Sequence, residues 1–189
     1  MKKLSVIVLV VLFLTVSGSA MAQNQGYFEA QIGADVLGNL DVSGGGVSSD
    51  EDTDAGISLT GEYKIPLENN SWVLGAGLNY QLARAVDASG AEDFNFTSFY
   101  GLAQYDLNDT PMYIIGKLGY NTFSVDNLAI DEDENGGLYY GVGAGFNFGE
   151  NDQYVLEGLY SVNNGELEDG IDTIDVEYSK FTVAIGMTF

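Results

Sequence analysis

Six charged side chains stand in segments that otherwise alternate apolar and small residues. Acids and bases in such surroundings form ion pairs, relay protons or line a pore. The set holds three carboxylates and three of the four basic residues after position 22, namely Glu29, Glu62, Lys64, Lys117, Glu157 and Lys180. An ionised group enclosed by protein must be paired or hydrated. We therefore predict an interior network in which Lys117 pairs with Glu62 or Glu157, with Lys64 and Lys180 nearer its rims.

An acidic run with the spacing of a calcium loop is a second candidate site. Residues 131–136 match the opening D-x-D-x-[DN]-G of that motif, which makes Asp131, Asp133 and Asn135 candidate ligands. The bidentate Glu expected at the twelfth position is missing, because Val142 stands there. The run is either a weak Ca²⁺ site or a solvated loop tip, and we expect no other cofactor.

Composition argues against catalysis and against binding to nucleic acid. The chain has no His and no Cys, which removes the commonest general base and the thiol nucleophile. Its 6 Lys+Arg stand against 28 Asp+Glu, a net charge of -22, whereas phosphate backbones require basic residues. We predict a non-enzymatic protein.

The elements that position these residues follow a predicted signal peptide. Met1-Lys2-Lys3 is a basic start, residues 4–16 are an apolar run, and Ala20-Met21-Ala22 fits a signal peptidase site. The run is shorter than the ~20 residues of a membrane-spanning helix. We expect cleavage after Ala22, which leaves one domain, residues 23–189. Removing two lysines makes its net charge 4 - 28 = -24.

From residue 23 onwards the apolar pattern has the period of two that is typical of strands. Short turns at 66–70, 108–111 and 149–152 alternate with long polar segments, which is the pattern of outer-membrane barrels. It predicts an all-β, eight-stranded, antiparallel, up-and-down transmembrane β-barrel, with both termini periplasmic and the long loops extracellular. The predicted strands are 27–36, 55–65, 71–82, 94–107, 112–123, 137–148, 153–162 and 175–189. The predicted loops are 37–54, 83–93, 124–136 and 163–174.

The two faces of each predicted strand differ, which a secreted soluble barrel would also show. Aromatic residues near the strand ends favour the membrane alternative, because they resemble interfacial girdles. Those at the turn end are Phe28, Trp72, Tyr105, Tyr113, Phe148, Tyr154 and Phe189; those towards the loop end are Tyr80, Phe94, Tyr120, Tyr160 and Tyr178. Eight strands enclose only enough space for side chains. We therefore interpret the interior network as an ion-paired filling rather than a gated pore or proton path.

With these features the chain resembles the small OmpA/OmpX-like outer-membrane β-barrel family over residues 23–189. The motifs are the 100–105 strand, the 111–120 strand and the last strand, which ends in Phe189. The resemblance implies contact with outer-membrane lipid and recognition by the outer-membrane assembly machinery through Phe181, Val183, Ile185, Met187 and Phe189. It also implies a structural or surface-interaction role with acidic extracellular loops and an unknown extracellular ligand. The alternatives are a small passive channel and an adhesin that binds through its loops.

Calcium binding can be measured directly. We expect calorimetry to give weak binding at most, because the loop lacks its bidentate Glu. Any heat from the motif should disappear in the Asp131→Ala/Asp133→Ala variant, and heat that survives in this variant would exclude it as the source.

Overall fold

The computed structural model describes residues 26–44, 46–68, 71–83, 94–125, 133–169 and 172–189. The predicted signal peptide, residues 1–22, lies outside these ranges and stays a prediction. The described residues form nine strands and one short 3-10 helix. These are β1 (Tyr27–Gly44), β2 (Val47–Thr53), β3 (Gly56–Pro66), β4 (Trp72–Gln81), β5 (Phe94–Asp106), β6 (Met112–Val125), β7 (Asp133–Phe148), η1 (Glu150–Asp152), β8 (Tyr154–Asp169) and β9 (Asp172–Thr188).

Eight of these strands close into a barrel. Each strand pairs antiparallel with the next along the chain, and β1 also pairs with β9, so that the order β1-β3-β4-β5-β6-β7-β8-β9 returns to its start. Near the seam, the backbones of Phe28 and Phe189 exchange hydrogen bonds of 3.2 and 2.8 Å. The predicted eight-stranded antiparallel barrel is confirmed. Among the described residues, no helix is long and apolar enough to cross a membrane.

Two segments predicted as loops, 37–54 and 163–174, are mostly strand. The ninth strand, β2, pairs with residues 38–44 of β1 in the same register in which β3 pairs with residues 27–35. Thus β2 and β3 form one strand line interrupted at Asp54-Ala55. Gly44 and Gly46, on either side of the hairpin turn, have φ of 130° and 82°, which residues with a side chain rarely adopt. The β8–β9 hairpin likewise continues as far as the pair Asp169 and Asp172.

Within the described residues, these long strands continue the barrel wall beyond the ends of β4 and β5. We call this continuation the sheet extension; it consists of residues 38–44, 47–53, 133–137, 163–169 and 172–179. It begins at two register shifts, one between Val36 and Asn39 on β1 and one between Gly136 and Tyr139 on β7. An extra residue in one strand bends that strand and increases its twist. Leu37, in the first shift, has φ of 53° and is 85% exposed.

The outward face of the barrel is apolar, as the strand pattern predicts. Phe99 is 53% exposed and Tyr100 only 5%, so on β5 Phe99 faces outward and Tyr100 inward. At the turn end, the rings of Trp72 and Tyr105 meet edge to face with centroids 5.0 Å apart. An exposed apolar band edged by aromatic rings is the surface of a lipid-embedded barrel.

Three of the predicted girdle positions are wrong. Phe94, Tyr113 and Tyr178 are at most 2% exposed and point into the barrel. Position near a strand end does not determine which face a ring occupies, and Tyr178 lies well inside β9, which begins earlier than predicted. Phe28 is also buried, with its ring close to Gly61.

Candidate functional site

Strand alternation turns all six charged residues of the predicted network into the lumen. Successive side chains of a strand point to opposite faces, so each charge lies between two outward neighbours. All six are at most 4% exposed: Glu29, Glu62, Lys64, Lys117, Glu157 and Lys180.

Five of these groups form a chain of alternating charge, which we call the lumen network. The ammonium of Lys117 lies 2.7 Å from Glu62 Oε1 and 2.8 Å from Glu157 Oε1. The ammonium of Lys64 lies 2.8 Å from Glu29 Oε1 and 3.1 Å from Glu62 Oε2. Glu62 therefore joins the two lysines, and Lys117 contacts both of the carboxylates that the sequence proposed for it. Lys64, expected nearer a rim, is wholly buried because its long side chain carries the ammonium away from the strand end.

Two tyrosines donate hydrogen bonds to the carboxylates of the network. The Tyr100 hydroxyl donates to Glu62 Oε1 at 2.8 Å, and the Tyr113 hydroxyl donates to Glu157 Oε2 at 2.9 Å. A buried ion pair is tolerated only when further hydrogen bonds satisfy its remaining lone pairs. These tyrosines were not predicted as members of the network, although both stand on the inward phase of their strands.

Glycines in the barrel wall leave space for the rings of the two tyrosines. A side chain on Gly77 would place its Cβ 2.7 Å from the Tyr100 ring, and one on Gly145 would overlap Tyr113. The lysine ammonium groups lie 5.4 to 5.5 Å from the ring centroids, Lys117 over Tyr100 and Lys64 over Tyr113. Cation–π attraction thus adds to the ion pairs.

Lys180 belongs to a second, separate cluster nearer the sheet extension. Its ammonium lies 2.9 Å from Asp35 Oδ2 and donates to Gln81 Oε1 at 3.2 Å. Thr182 and Ser58 donate to Asp35 Oδ1 at 2.6 and 3.0 Å. Asp35 was not predicted as a partner of Lys180, because the sequence does not give the register between the first and last strands.

An apolar plug lies above this cluster, at the base of the sheet extension. Its buried side chains are Leu40, Phe94, Phe96, Phe123, Val176 and Tyr178. The Phe96 ring stacks parallel to Tyr178 with centroids 6.0 Å apart and lies 4.8 Å from the ring of Phe123. Below it, the lumen leaves a cavity of about 10 Å³, lined in part by Lys117, Ser161 and Lys180. That volume is close to what a single water needs.

The exposed face of the sheet extension is acidic. Asp41 stands directly opposite Glu177, in a register where neighbouring Cβ atoms are ~5 Å apart. A recess of about 360 Å³ is lined there by Asp41, Ser43, Asn164, Gly165, Glu166, Asp175 and Glu177. No basic side chain of the described ranges faces it, because Lys64, Lys117 and Lys180 all lie in the lumen. Arg84 lies outside the described residues.

The calcium candidate is only partly described. Asp131 lies outside the described residues, whereas Asp133 and Asn135 belong to β7. Across the described ranges, no group of three or more Asp, Glu, His or Cys side chains is arranged to hold a metal ion. Calcium binding stays a prediction.

The residues of the assembly signal all face outward on β9 and the C-terminal position. They are 36 to 54% exposed: Phe181, Val183, Ile185, Met187 and Phe189. Their recognition by an assembly machine also stays a prediction.

Removing the shared lysine should destabilise the barrel strongly. In Lys117→Met, Glu62 and Glu157 lose a common partner while staying buried, a change that costs about 3–5 kcal/mol. Urea unfolding in lipid vesicles, followed by gel mobility, measures the free energy of unfolding. Leu118→Met, on the lipid-facing side of the same strand, should change it by less than about 1.5 kcal/mol. Adding Glu62→Gln and Glu157→Gln to Lys117→Met should restore part of the lost free energy of unfolding. Equal losses in Lys117→Met, in this triple variant and in Leu118→Met would contradict the role of the ion pairs.

Comparison with known proteins agrees with this architecture. The family model described as outer membrane protein beta-barrel domain matches residues 7–189. No curated protein matches the chain. The crystal structure of Ail, the attachment invasion locus protein of Yersinia pestis, has a TM-score of 0.53 and 19% identity, covering 87% of this chain and 99% of that one.

Two other solved structures are similar to the same degree. The crystal structure of Neisserial surface protein A has a TM-score of 0.53 and 18% identity, covering 86% of this chain and 97% of that one. Outer membrane protein AlkL in lipid bilayers has a TM-score of 0.53 and 13% identity, with 90% and 93% covered. At these identities the likeness concerns the fold alone. Because the family model spans nearly the whole sequence and the strands close as that family requires, the chain belongs to the outer membrane protein beta-barrel domain family and is a protein of the outer membrane.

Proposed function

We propose that this protein is a closed, non-enzymatic outer-membrane barrel whose acidic sheet extension binds a cationic partner outside the cell. The segregation of charge carries the proposal. The three lysines of the described residues lie inside the lumen, and the charged side chains that line the recess on the exposed face of the sheet extension are all carboxylates. Like charges directly opposite each other destabilise a sheet. A cationic partner would relieve that repulsion.

The difference between the two ends of the barrel supports the predicted orientation. The strands are joined by short connections at one end, and both chain ends of the described barrel lie there. Outer-membrane barrels keep short turns on the periplasmic side. This supports a sheet extension that projects into the medium, with the outward face of β9 available to the assembly machinery.

The acidic charge of the sheet extension does not suit the kind of ligand that is bound in a structure of one relative. A structure of Ail from Yersinia pestis is a complex with the heparin analogue sucrose octasulfate. A polysulfated ligand would be repelled by the exposed face of this sheet extension, since opposite potentials favour association and like potentials oppose it. An adhesive role through the sheet extension therefore requires a different class of ligand here.

The partner class can be tested with polylysine as the ligand. The protein in detergent should bind polylysine and not heparin, and Asp41→Asn/Asp175→Asn/Glu177→Gln should weaken polylysine binding about tenfold if each lost exposed pair is worth ~0.5 kcal/mol. Surface plasmon resonance at low and high salt measures both. Glu68→Gln/Asp109→Asn/Glu150→Gln neutralises three exposed carboxylates at the turn end as the matched control. Equal weakening in both variants would show that polylysine binding depends on net charge and not on the sheet extension. Heparin binding would contradict the proposal.

The alternative of a small passive channel makes the opposite prediction about current. The lumen network, the second cluster and the apolar plug together occupy the interior, and the cavity between them is about 10 Å³. We expect purified protein in planar bilayers to show no reproducible unitary conductance, because an eight-stranded barrel encloses only enough space for its side chains. Reproducible unitary steps that disappear on heat denaturation would establish the channel instead.

A further inference from the structure

We propose that the apolar plug, rather than the lumen network, is the barrier that excludes external water from the lumen on the side of the sheet extension. The inference rests on the closed barrel of the proposed function and assigns the closure to particular side chains. It also gives the plug a role that the lumen network was expected to fill.

The plug spans the full width of the barrel. Phe94 and Phe96 come from β5, and Tyr178 comes from β9, which stands on the opposite side of an eight-stranded circle. Their rings nevertheless meet, because the centroid of Tyr178 lies 5.2 Å from that of Phe94 and 6.0 Å from that of Phe96. Side chains from facing walls therefore touch across the middle.

The side chains of the plug are also closely packed. Phe96 is 1% exposed and Tyr178 is fully buried, although both lie near the open end of the barrel. Phe123 packs against the bare backbone of Gly165, where a Cβ would lie 3.0 Å from the ring. An apolar layer packed this closely holds no water, because water needs both space and polar partners.

The environment changes from apolar to polar directly beneath the plug. Ser98 donates to Asn163 Oδ1 at 3.1 Å, and Lys180 with its partners follows. Solvent from the sheet extension meets the plug before it meets any of these groups. Ion pairs gain strength where water is excluded, so the clusters below benefit from the seal.

A buried cysteine can report whether the seal holds. The chain has no cysteine, so Ser161→Cys introduces a single thiol at the cavity below the plug, at a position that is 1% exposed. The reagent is methyl methanethiosulfonate, applied to the folded protein in detergent and quantified by mass spectrometry. With the plug intact the thiol should react slowly. Adding Phe96→Ala/Phe123→Ala should speed the reaction roughly tenfold or more, because the path no longer requires transient opening of the barrel.

The matched control removes two large side chains from the lipid-facing side of the same strands. Phe99 and Leu118 are 53% and 63% exposed, so Phe99→Ala/Leu118→Ala should leave the labelling rate unchanged. Heat-modifiable gel mobility verifies that each variant is folded, and Phe96→Ala alone replaces the double variant if that one does not fold. A fast rate with the plug intact, an unchanged rate without it, or equal acceleration in the control would each overturn the seal. Unitary conductance of the unmodified protein would instead overturn the closed barrel of the proposed function.

Discussion

The structure depends on one constraint, which is that a charge inside a narrow barrel must have its partner inside too. Lys117 meets this requirement by sharing its ammonium between Glu62 and Glu157, at 2.7 and 2.8 Å. The glycines of the neighbouring walls and the inward tyrosines follow from that arrangement, since the glycines provide space and the tyrosine hydroxyls donate hydrogen bonds to Glu62 Oε1 and Glu157 Oε2. The network shares the interior with buried apolar side chains such as those of the plug, whereas the exposed apolar side chains of the barrel face lipid.

Because the lysines pair with carboxylates in the lumen, the net charge of the surface is negative. A chain with so few basic residues cannot both neutralise its lumen and balance its exterior. The carboxylates of the sheet extension are therefore left without basic neighbours among the described residues. The same distribution of charge stabilises the interior and makes the exterior selective by sign. Fold and proposed function are thus linked through charge, whereas the fold alone would be compatible with many roles.

Much of the barrel could be predicted from the sequence because alternation with a period of two is a local signal. It gave the inward phase of Glu62 and Lys180, whereas Lys117 and Glu157 were predicted to face inward because a charge that faces lipid is costly. The continuation of β1 into the sheet extension was missed for a physical reason: at the register shift near Leu37 the inward face changes from odd-numbered residues such as Asp35 to even-numbered ones such as Leu40. This change breaks the alternation of inward and outward residues, and a break in the alternation predicts the end of a strand. The pairing of Lys180 with Asp35 could not be predicted for another reason. It depends on the register between β1 and β9, which the sequence does not determine.

The continuous β8–β9 hairpin of the sheet extension has a mechanical consequence. β8 and β9 run from the lipid-facing band into the sheet extension without a register shift between them, so their ladder of backbone hydrogen bonds is continuous. A partner that pulled on the sheet extension would load this ladder along the strand direction, where many bonds resist together. A loop would stretch under the same pull before any load reached the membrane. The sheet extension is therefore suited to transmitting tension to the bilayer.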